Sequence, residues 1–189
     1  VMAHSLLDHN PNVAVFRNQI AAMPPLQDDA TGPVRIFCAW QNRSQDWKEI
    51  ITPLNDALKD YPETEVYVVN DREFFHAVKS ENKKFWTFQT YEKYVQLLRE
   101  CDIALLPLER NRFNDHKSDI KLIECAANDV LVMIPDDSVY SESLSACRGG
   151  MRYSNAAEFR HNLYWLIHKA RHGVWKTDPP RDYVRNHRM

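Results

Sequence analysis

Apolar residues in this chain follow two alternating rhythms. Short, largely apolar runs fall at residues 34–40 (V-R-I-F-C-A-W), 65–69 (E-V-Y-V-V), 84–88, 103–108 (I-A-L-L-P-L), 130–134 and 150–153. Their length and their content of Val, Ile and aromatic residues predict strands. Between them the apolar positions recur at helical spacing. Trp47, Ile50, Ile51, Leu54, Ala57 and Leu58 mark one helix over residues 46–59, ended by Pro62. Phe74, Phe75 and Val78 mark a second over 71–80, and Tyr94, Val95, Leu97 and Leu98 a third over 90–100. The same spacing predicts a helix opening at Ser118, with Ile120, Ile123, Ala126 and Ala127 as its buried stripe. A long helix from Asn155 to Gly173 carries Phe159, Leu163, Leu166 and Ile167. Residues 13–16 form one more apolar run, read as a strand. Met23-Pro24-Pro25 then extends the chain, because consecutive prolines disfavour helix.

Strands that alternate with helices, each strand apolar on both faces, belong to a parallel sheet covered on two sides. Right-handed crossovers then give the predicted fold class, α/β: a Rossmann-like, doubly wound parallel sheet with helices on both faces. The expected organisation is an N-terminal segment and linker over 1–33, a Rossmann-like nucleotide-binding domain over 34–175, and a basic, solvated tail over 176–189. Within the first segment residues 1–12 are polar and loosely held, and 27–33 form a turn-rich spacer. Such sheets bind ligands beyond the carboxyl ends of their strands. The polar loop 41–44 after Trp40 and the loops after Phe88 and Leu108 all open on that edge.

Composition narrows the options further. The net charge of −2 gives no electrostatic footprint for nucleic acid, which is not an expected partner. Only 4 glycines occur, with no G-x-G-x-x-G or Walker-type loop to cradle phosphate. Cys38, Cys101, Cys125 and Cys147 are scattered, with no C-x-x-C pair, which predicts reduced thiols and a cytoplasmic protein. No apolar run reaches membrane-span length and no signal-peptide pattern opens the chain. The chain starts at Val1 rather than Met, as a piece of a longer protein does. His168 and His172 have a metal-ligand spacing, but Lys169 and Arg171 beside them read as a basic helix end that complements the dipole, so no metal site is expected. No G-x-S-x-G nucleophile motif is present. Trp40 and Trp47 are read as core or rim residues.

The candidate chemistry lies between Ile103 and Asn128. Ser118 is a suitable N-cap, since its hydroxyl can accept a first-turn amide. A helix start carries partial positive charge and favours carboxylates, yet Lys117 and Lys121 flank this one, partly offset by Asp115 and Asp119. Lys121 occupies the place of the capping-box Glu or Gln. Cations around a strand-loop-helix N-terminus point to a bound anion, phosphate above all. Glu124 shares a stripe with Lys117 and Lys121 and is placed to accept hydrogen bonds from a hydroxylated ligand. A lysine and glutamate stripe on a helix also occurs as a plain solvated face. That leaves a second reading of the chain, a non-catalytic Rossmann-like interaction module.

In this order the residues resemble the C-terminal, nucleotide-sugar-binding domain of GT-B glycosyltransferases of the family 4-like, group 1 type. The segment N-V-A-V-F-R-N-Q-I (Asn12 to Ile20) is similar to the V-x-P-N-G-hydrophobic linker of that family. C-D-I-A-L-L-P-L (Cys101 to Leu108) is similar to its strand before the donor site. F-N-D-H-K-S-D-I-K-L-I-E-C-A-A-N-D-V-L-V-M (Phe113 to Met133) resembles its donor-binding segment, which ends E-A-hydrophobic-A-x-G-x-P-V. The resemblance implies a nucleotide-diphosphate-sugar donor as substrate, with no cofactor and no obligate metal. It places Glu124 on the ribose hydroxyls and the amides of Lys117, Ser118, Asp119 and Ile120 around the diphosphate, with Ser118 and Lys121 assisting. Arg43 would neutralise the diphosphate, and Phe88 and Gln89 would hold the base. No catalytic residue is assigned. The chain departs from the pattern twice: His116 stands where a donor-sugar glutamate is usual, and Asn128-Asp129 replaces a glycine at the helix stop, where Asn128 is expected to adopt the left-handed conformation. Enzymes of this type also carry an N-terminal acceptor domain, for which 189 residues leave no room, so the chain is expected to be half an enzyme and inactive alone.

Overall fold

The computed structural model describes residues 6–26, 32–40, 43–173 and 179–189. Parts of the expected spacer (27–31), of the loop after Trp40 (41–42), of the N-terminal segment (1–5) and of the tail (174–178) lie outside the described residues. In chain order the elements are β1 (Arg35–Ala39), α1 (Ser44–Trp47), α2 (Ile51–Asp60), β2 (Glu65–Val69), α3 (Arg72–Ala77), β3 (Lys83–Trp86), α4 (Tyr91–Arg99), β4 (Ile103–Leu105), α5 (Arg112–Asp115), α6 (Ile120–Ala127), β5 (Leu131–Pro135), α7 (Ser141–Cys147), β6 (Gly150–Tyr153), α8 (Ala156–Arg171) and α9 (Pro179–His187).

All six strands pair in parallel, in the order β3-β2-β1-β4-β5-β6. The order reverses between β1 and β4, where crossovers leave to opposite sides and open a crevice at the carboxyl edge. Alternate residues of each strand face opposite layers. Ile36, Cys38, Val66, Val68, Ile103, Leu105, Leu131 and Met133 pack under α1, α2, α3 and α8, with Leu54, Phe74, Phe159 and Leu163 at the centre. Phe37, Tyr67, Val69, Ala104, Val132 and Ile134 pack under α4, α6, α7 and α9. Most α/β crossover helices are therefore shared evenly between the two faces, and the expected fold class is the observed one.

Local differences have identifiable causes. The helix expected over 46–59 is two helices, broken at Lys48–Ile50. Pro53 has no N–H for the Glu49 carbonyl and its ring would strike that carbonyl, so the chain restarts with Pro53 in a first turn, where the missing donor costs nothing. The helix expected to open at Ser118 opens at Ile120, with Asp119 at the N-cap and no side-chain cap bond. Its stop is also one residue later than expected. Asp129 takes the left-handed conformation (φ 56°), while Asn128 keeps φ −101° and donates its Nδ2 to Glu124 O at 2.8 Å.

Residues 13–16 form no strand. The sheet ends at β3 and β6 with no further strand paired to either, and Val15 and Phe16 stand 70% and 89% exposed. The basic end expected to be solvated contains α9, which packs on α6 and α7. Its Arg181 and Arg188 are buried with partners: Arg181 donates Nη1 to Ala127 O (2.5 Å) and Nη2 to Pro24 O (2.6 Å), and Arg188 donates Nε to Asn18 O (3.0 Å). Among the described residues no helix is long and apolar enough to cross a membrane.

Candidate functional site

Two adjoining hollows open at the carboxyl edge of the sheet, one on each side of Lys121. The first, of about 330 Å³, lies at the reversal point between β1 and β4. Its walls are Ala39 and Trp40 after β1, Leu106 to Leu108 after β4, Arg43 and Asp46 at the start of α1, and Lys117, Ser118, Ile120 and Lys121 at the start of α6. The second, of about 310 Å³, is bounded by Val69 and Asn70 after β2, Phe88 and Gln89 after β3, Tyr91 and Tyr94 of α4, and Glu124 of α6. Ala39, Trp40, Ile120 and Lys121 belong to both. The sequence-predicted residues are thus brought together in two groups: Arg43, Lys117, Ser118, Ile120 and Lys121 around the first hollow, and Phe88, Gln89 and Glu124 around the second. Asp119 lines neither.

The first hollow is cationic because a buried carboxylate organises it. Asp46 is 6% exposed. Its Oδ1 accepts from Glu109 N and from Asn114 Nδ2, both at 2.9 Å. Its Oδ2 pairs with Arg43 Nε at 2.9 Å and with Lys117 Nζ at 3.8 Å. Arg43 also donates to Asn114 Oδ1 (3.0 Å) and lies 4.9 Å from the centre of the Phe113 ring, with Lys117 Nζ 5.6 Å from the same ring. One negative charge holds two positive ones, and Lys121 adds a third, leaving the hollow net positive. Lys121 Nζ donates to Ala39 O at 2.5 Å. Burial lowers the pKa of both Lys117 and Lys121, a sign that their charge is poorly solvated and that an anion would stabilise it.

Donors converge on the same place from the backbone. Among the described residues, the amides of Ser118, Asp119, Ile120 and Lys121 donate no hydrogen bond. The Asp119 carbonyl already serves Leu122 and Ile123. Unsatisfied amides at a helix start beside cations make a site for a phosphate-like anion.

The second hollow has a different character, aromatic with one carboxylate. Glu124 is 7% exposed, and burial raises its pKa, against the opposing pull of the Tyr91 hydroxyl, Lys121 and the Tyr94 hydroxyl. Tyr91 is in turn pushed up to about 12, by burial first and then by Glu124. Phe88 is 70% exposed at the rim, and Gln89 Nε2 is turned back onto Thr87 O at 2.8 Å. This end offers ring faces and a strong acceptor.

His116 lines neither hollow; its Nδ1 lies 2.5 Å from Arg112 O at the end of α5. His168 and His172 stack with ring centres 4.4 Å apart, and among the described residues no group of three His, Cys, Asp or Glu could hold a metal ion. Trp40 and Trp47 are both buried, Trp47 donating Nε1 to Asp71 at 3.1 Å. The sequence assigns no site role to Asp46, Asn114 or Tyr91, and marks Tyr94 only as part of a helix stripe. The Arg43–Asp46 spacing of three was the one available signal for the first of them.

No family model matches the chain, and no curated protein matches its sequence. Its backbone, however, superposes on solved glycosyltransferases. WaaG, a glycosyltransferase involved in lipopolysaccharide biosynthesis, gives a TM-score of 0.64 at 14% identity over 83% of this chain and 44% of its own. The C-terminal domain of a group 1 glycosyl transferase (LpcC) from Francisella tularensis gives 0.62 at 16% identity, over 82% of this chain and 86% of that domain. A mutant of TarM from S. aureus, in complex with fondaparinux, alpha-GlcNAc-glycerol and UDP, gives 0.72 at 8% identity over 99% of this chain and 39% of its own. The chain therefore spans less than half of the longer structures and most of an isolated C-terminal domain. With six parallel strands in the order 3-2-1-4-5-6, it has the fold of one Rossmann-like half of a GT-B glycosyltransferase.

Proposed function

We propose that this chain binds the nucleoside diphosphate-sugar donor of a glycosyltransferase, and that sugar transfer to an acceptor takes place in a longer protein that adds an acceptor-binding domain. The observation that carries the reading is the juxtaposition of a cationic, amide-lined hollow with an aromatic, carboxylate-bearing one, joined at Lys121. A nucleoside diphosphate has the matching polarity: two charged phosphates at one end, and ribose hydroxyls and a flat base at the other. Arg43, Lys117, Lys121 and the α6 amides would take the diphosphate, Glu124 the ribose hydroxyls, and Phe88, Tyr91 and Gln89 the base. The UDP-bound TarM structure supports this reading as an analogy of fold. The proposed chemistry is electrostatic, since fixed cations and amides favour the leaving diphosphate as its charge develops.

Titration calorimetry with UDP, GDP, ADP, TDP and inorganic pyrophosphate tests the reading. Binding of at least one nucleoside diphosphate more tightly than pyrophosphate is expected. Silence from all of them at millimolar concentration would leave a non-catalytic interaction module as the better account. Glu124→Ala should weaken the preferred nucleoside diphosphate about tenfold and pyrophosphate by less than about twofold, the loss of one acceptor to ribose. Equal losses for both ligands would remove Glu124 from the ribose.

A further inference from the structure

We propose that Arg188 is a positioning residue for the diphosphate end of this site, acting through Asp119, an inference that rests on the donor-binding reading above. Asp119 occupies the N-cap of α6, the position from which a carboxylate ordinarily accepts a first-turn amide and closes off the helix start. Here it does not. Its Oδ2 accepts from Arg188 Nη2 and from the Ser143 hydroxyl, both short contacts. The carboxylate is thereby drawn toward α7 and the end of α9, off both hollows, and the amides of Ser118 to Lys121 are left without partners among the described residues.

Arg188 is built to stay in place. It is 2% exposed, and its guanidinium also meets Asn18 O (3.0 Å), the Tyr183 hydroxyl (3.2 Å) and Ser143 Oγ (3.5 Å). Its own backbone carbonyl accepts from Ile20 N at 2.8 Å, which ties the N-terminal segment to the same point. The arrangement settles a competition between two anions for one set of donors. A free Asp119 carboxylate would satisfy the Lys121 amide itself and place a negative charge at the positive end of the helix, where the diphosphate is to bind. Held by Arg188, it is both neutralised and kept off those amides.

The test uses the whole chain with pyrophosphate as the probe, beside amide hydrogen exchange without ligand. Arg188→Gln should weaken pyrophosphate about fivefold to tenfold, the effect of one uncompensated charge at a helix start. It should also slow exchange of the Lys121 amide, as Asp119 turns to cap it. The Asp119→Asn/Arg188→Gln double variant removes the competing charge together with its partner, and pyrophosphate binding should recover most of the loss. Recovery in the double variant is the outcome a merely structural role for Arg188 does not produce. If the double variant binds as weakly as the single one, or if Arg188→Gln leaves both binding and Lys121 exchange unchanged, the inference falls. Should the unaltered chain bind a nucleoside diphosphate but no pyrophosphate, that nucleotide serves as the probe; if it binds neither, the donor reading falls, while slowed Lys121 exchange in Arg188→Gln still upholds the control of Asp119 by Arg188 and unchanged exchange still refutes it.

Discussion

Asp46 places a nearly inaccessible carboxylate beneath a hollow whose other charges are positive. Two of its roles can be separated. As a hydrogen-bond acceptor it holds the Glu109 amide and Asn114, and as a charge it offsets Arg43 and Lys117. Asp46→Ala abolishes both and should cost about 2–4 kcal/mol in chemical denaturation, the penalty of orphaned buried donors. Asp46→Asn keeps an acceptor and removes the charge, so it should cost stability yet tighten pyrophosphate by about twofold to fivefold, as a unit of opposing charge disappears from a partly solvated site. Weaker pyrophosphate binding in Asp46→Asn would show that the geometry, not the charge, was what mattered. The lysines give a pH dependence of definite sign. Burial holds their pKa below the ordinary value of 10.5, so the unfolded chain binds more protons just below pH 10.5 and stability rises with pH through that window. An anion prefers the protonated lysines, so pyrophosphate affinity should fall as the same window is crossed upward. A calorimetric series carried through pH 10.5 checks this, and an affinity flat across that window contradicts it. Glu124 runs the other way: its raised pKa makes stability fall as pH rises above the unfolded value near 4.5.

At the scale of elements, β6 lies too close to β5 to take a side chain at Gly150. A methyl group built on Gly150 would come 2.0 Å from Val132 O, a backbone atom of the neighbouring β5. Gly150→Ala should therefore force β6 from its partner and cost about 3 kcal/mol or more, read as a lowered denaturation midpoint. A stability change inside the error of the measurement would mean that the strand can shift without loss. The same scale shows what sequence pattern can and cannot disclose. The four inner strands are buried on both faces and so largely apolar, which makes them visible as runs, whereas the edge strands β3 and β6 carry Lys83, Lys84 and Arg152 and show only through Phe85, Trp86, Met151 and Tyr153 and through the alternation with helices. Proline 53 was equally visible, but its consequence was not, because Trp47, Ile50, Ile51 and Leu54 keep helical spacing across the break. The helices α7 and α9 were not anticipated at all. S-E-S-L-S-A-C offers few apolar residues to define a period, and P-P-R-D-Y-V-R-N-H is anchored by Arg181 and by Arg188 just beyond it, whose burial a hydrophobic pattern does not register. In the site, Lys117, Lys121 and Glu124 could be grouped because a helix relates them at three and four residues. Asp46 and Arg188 meet that group from 71 and 67 residues away on either side of Lys117 and Lys121 respectively, separations that no local period encodes.

Across the molecule, α6 is gripped at both ends by one distant segment. Arg181 holds the carbonyl of Ala127 and pairs with Asp129 at 3.2 Å at the carboxyl end, while Arg188 holds Asp119 at the amino end. Each arginine has the sign suited to its contact, a cation on a buried carbonyl at the carboxyl end of the helix and a cation on a carboxylate. Arg181→Ala should lower stability by about 3–5 kcal/mol, since it leaves Asp129 and the Ala127 carbonyl less well served in a buried setting. Protection of α6 amides from exchange should fall in the same variant, and a loss confined to α9 would argue that the two helices are energetically separate.

Lys121 stands where the two hollows meet, with its ammonium already on the Ala39 carbonyl. One cation there must answer to whatever fills either side. Offered as separate molecules, a nucleoside and a pyrophosphate draw on the same side chain and cannot each command it fully; joined as a single ligand, they fix it once. The site would therefore discriminate by connectivity as well as by composition, favouring an intact conjugate over an equimolar mixture of its fragments.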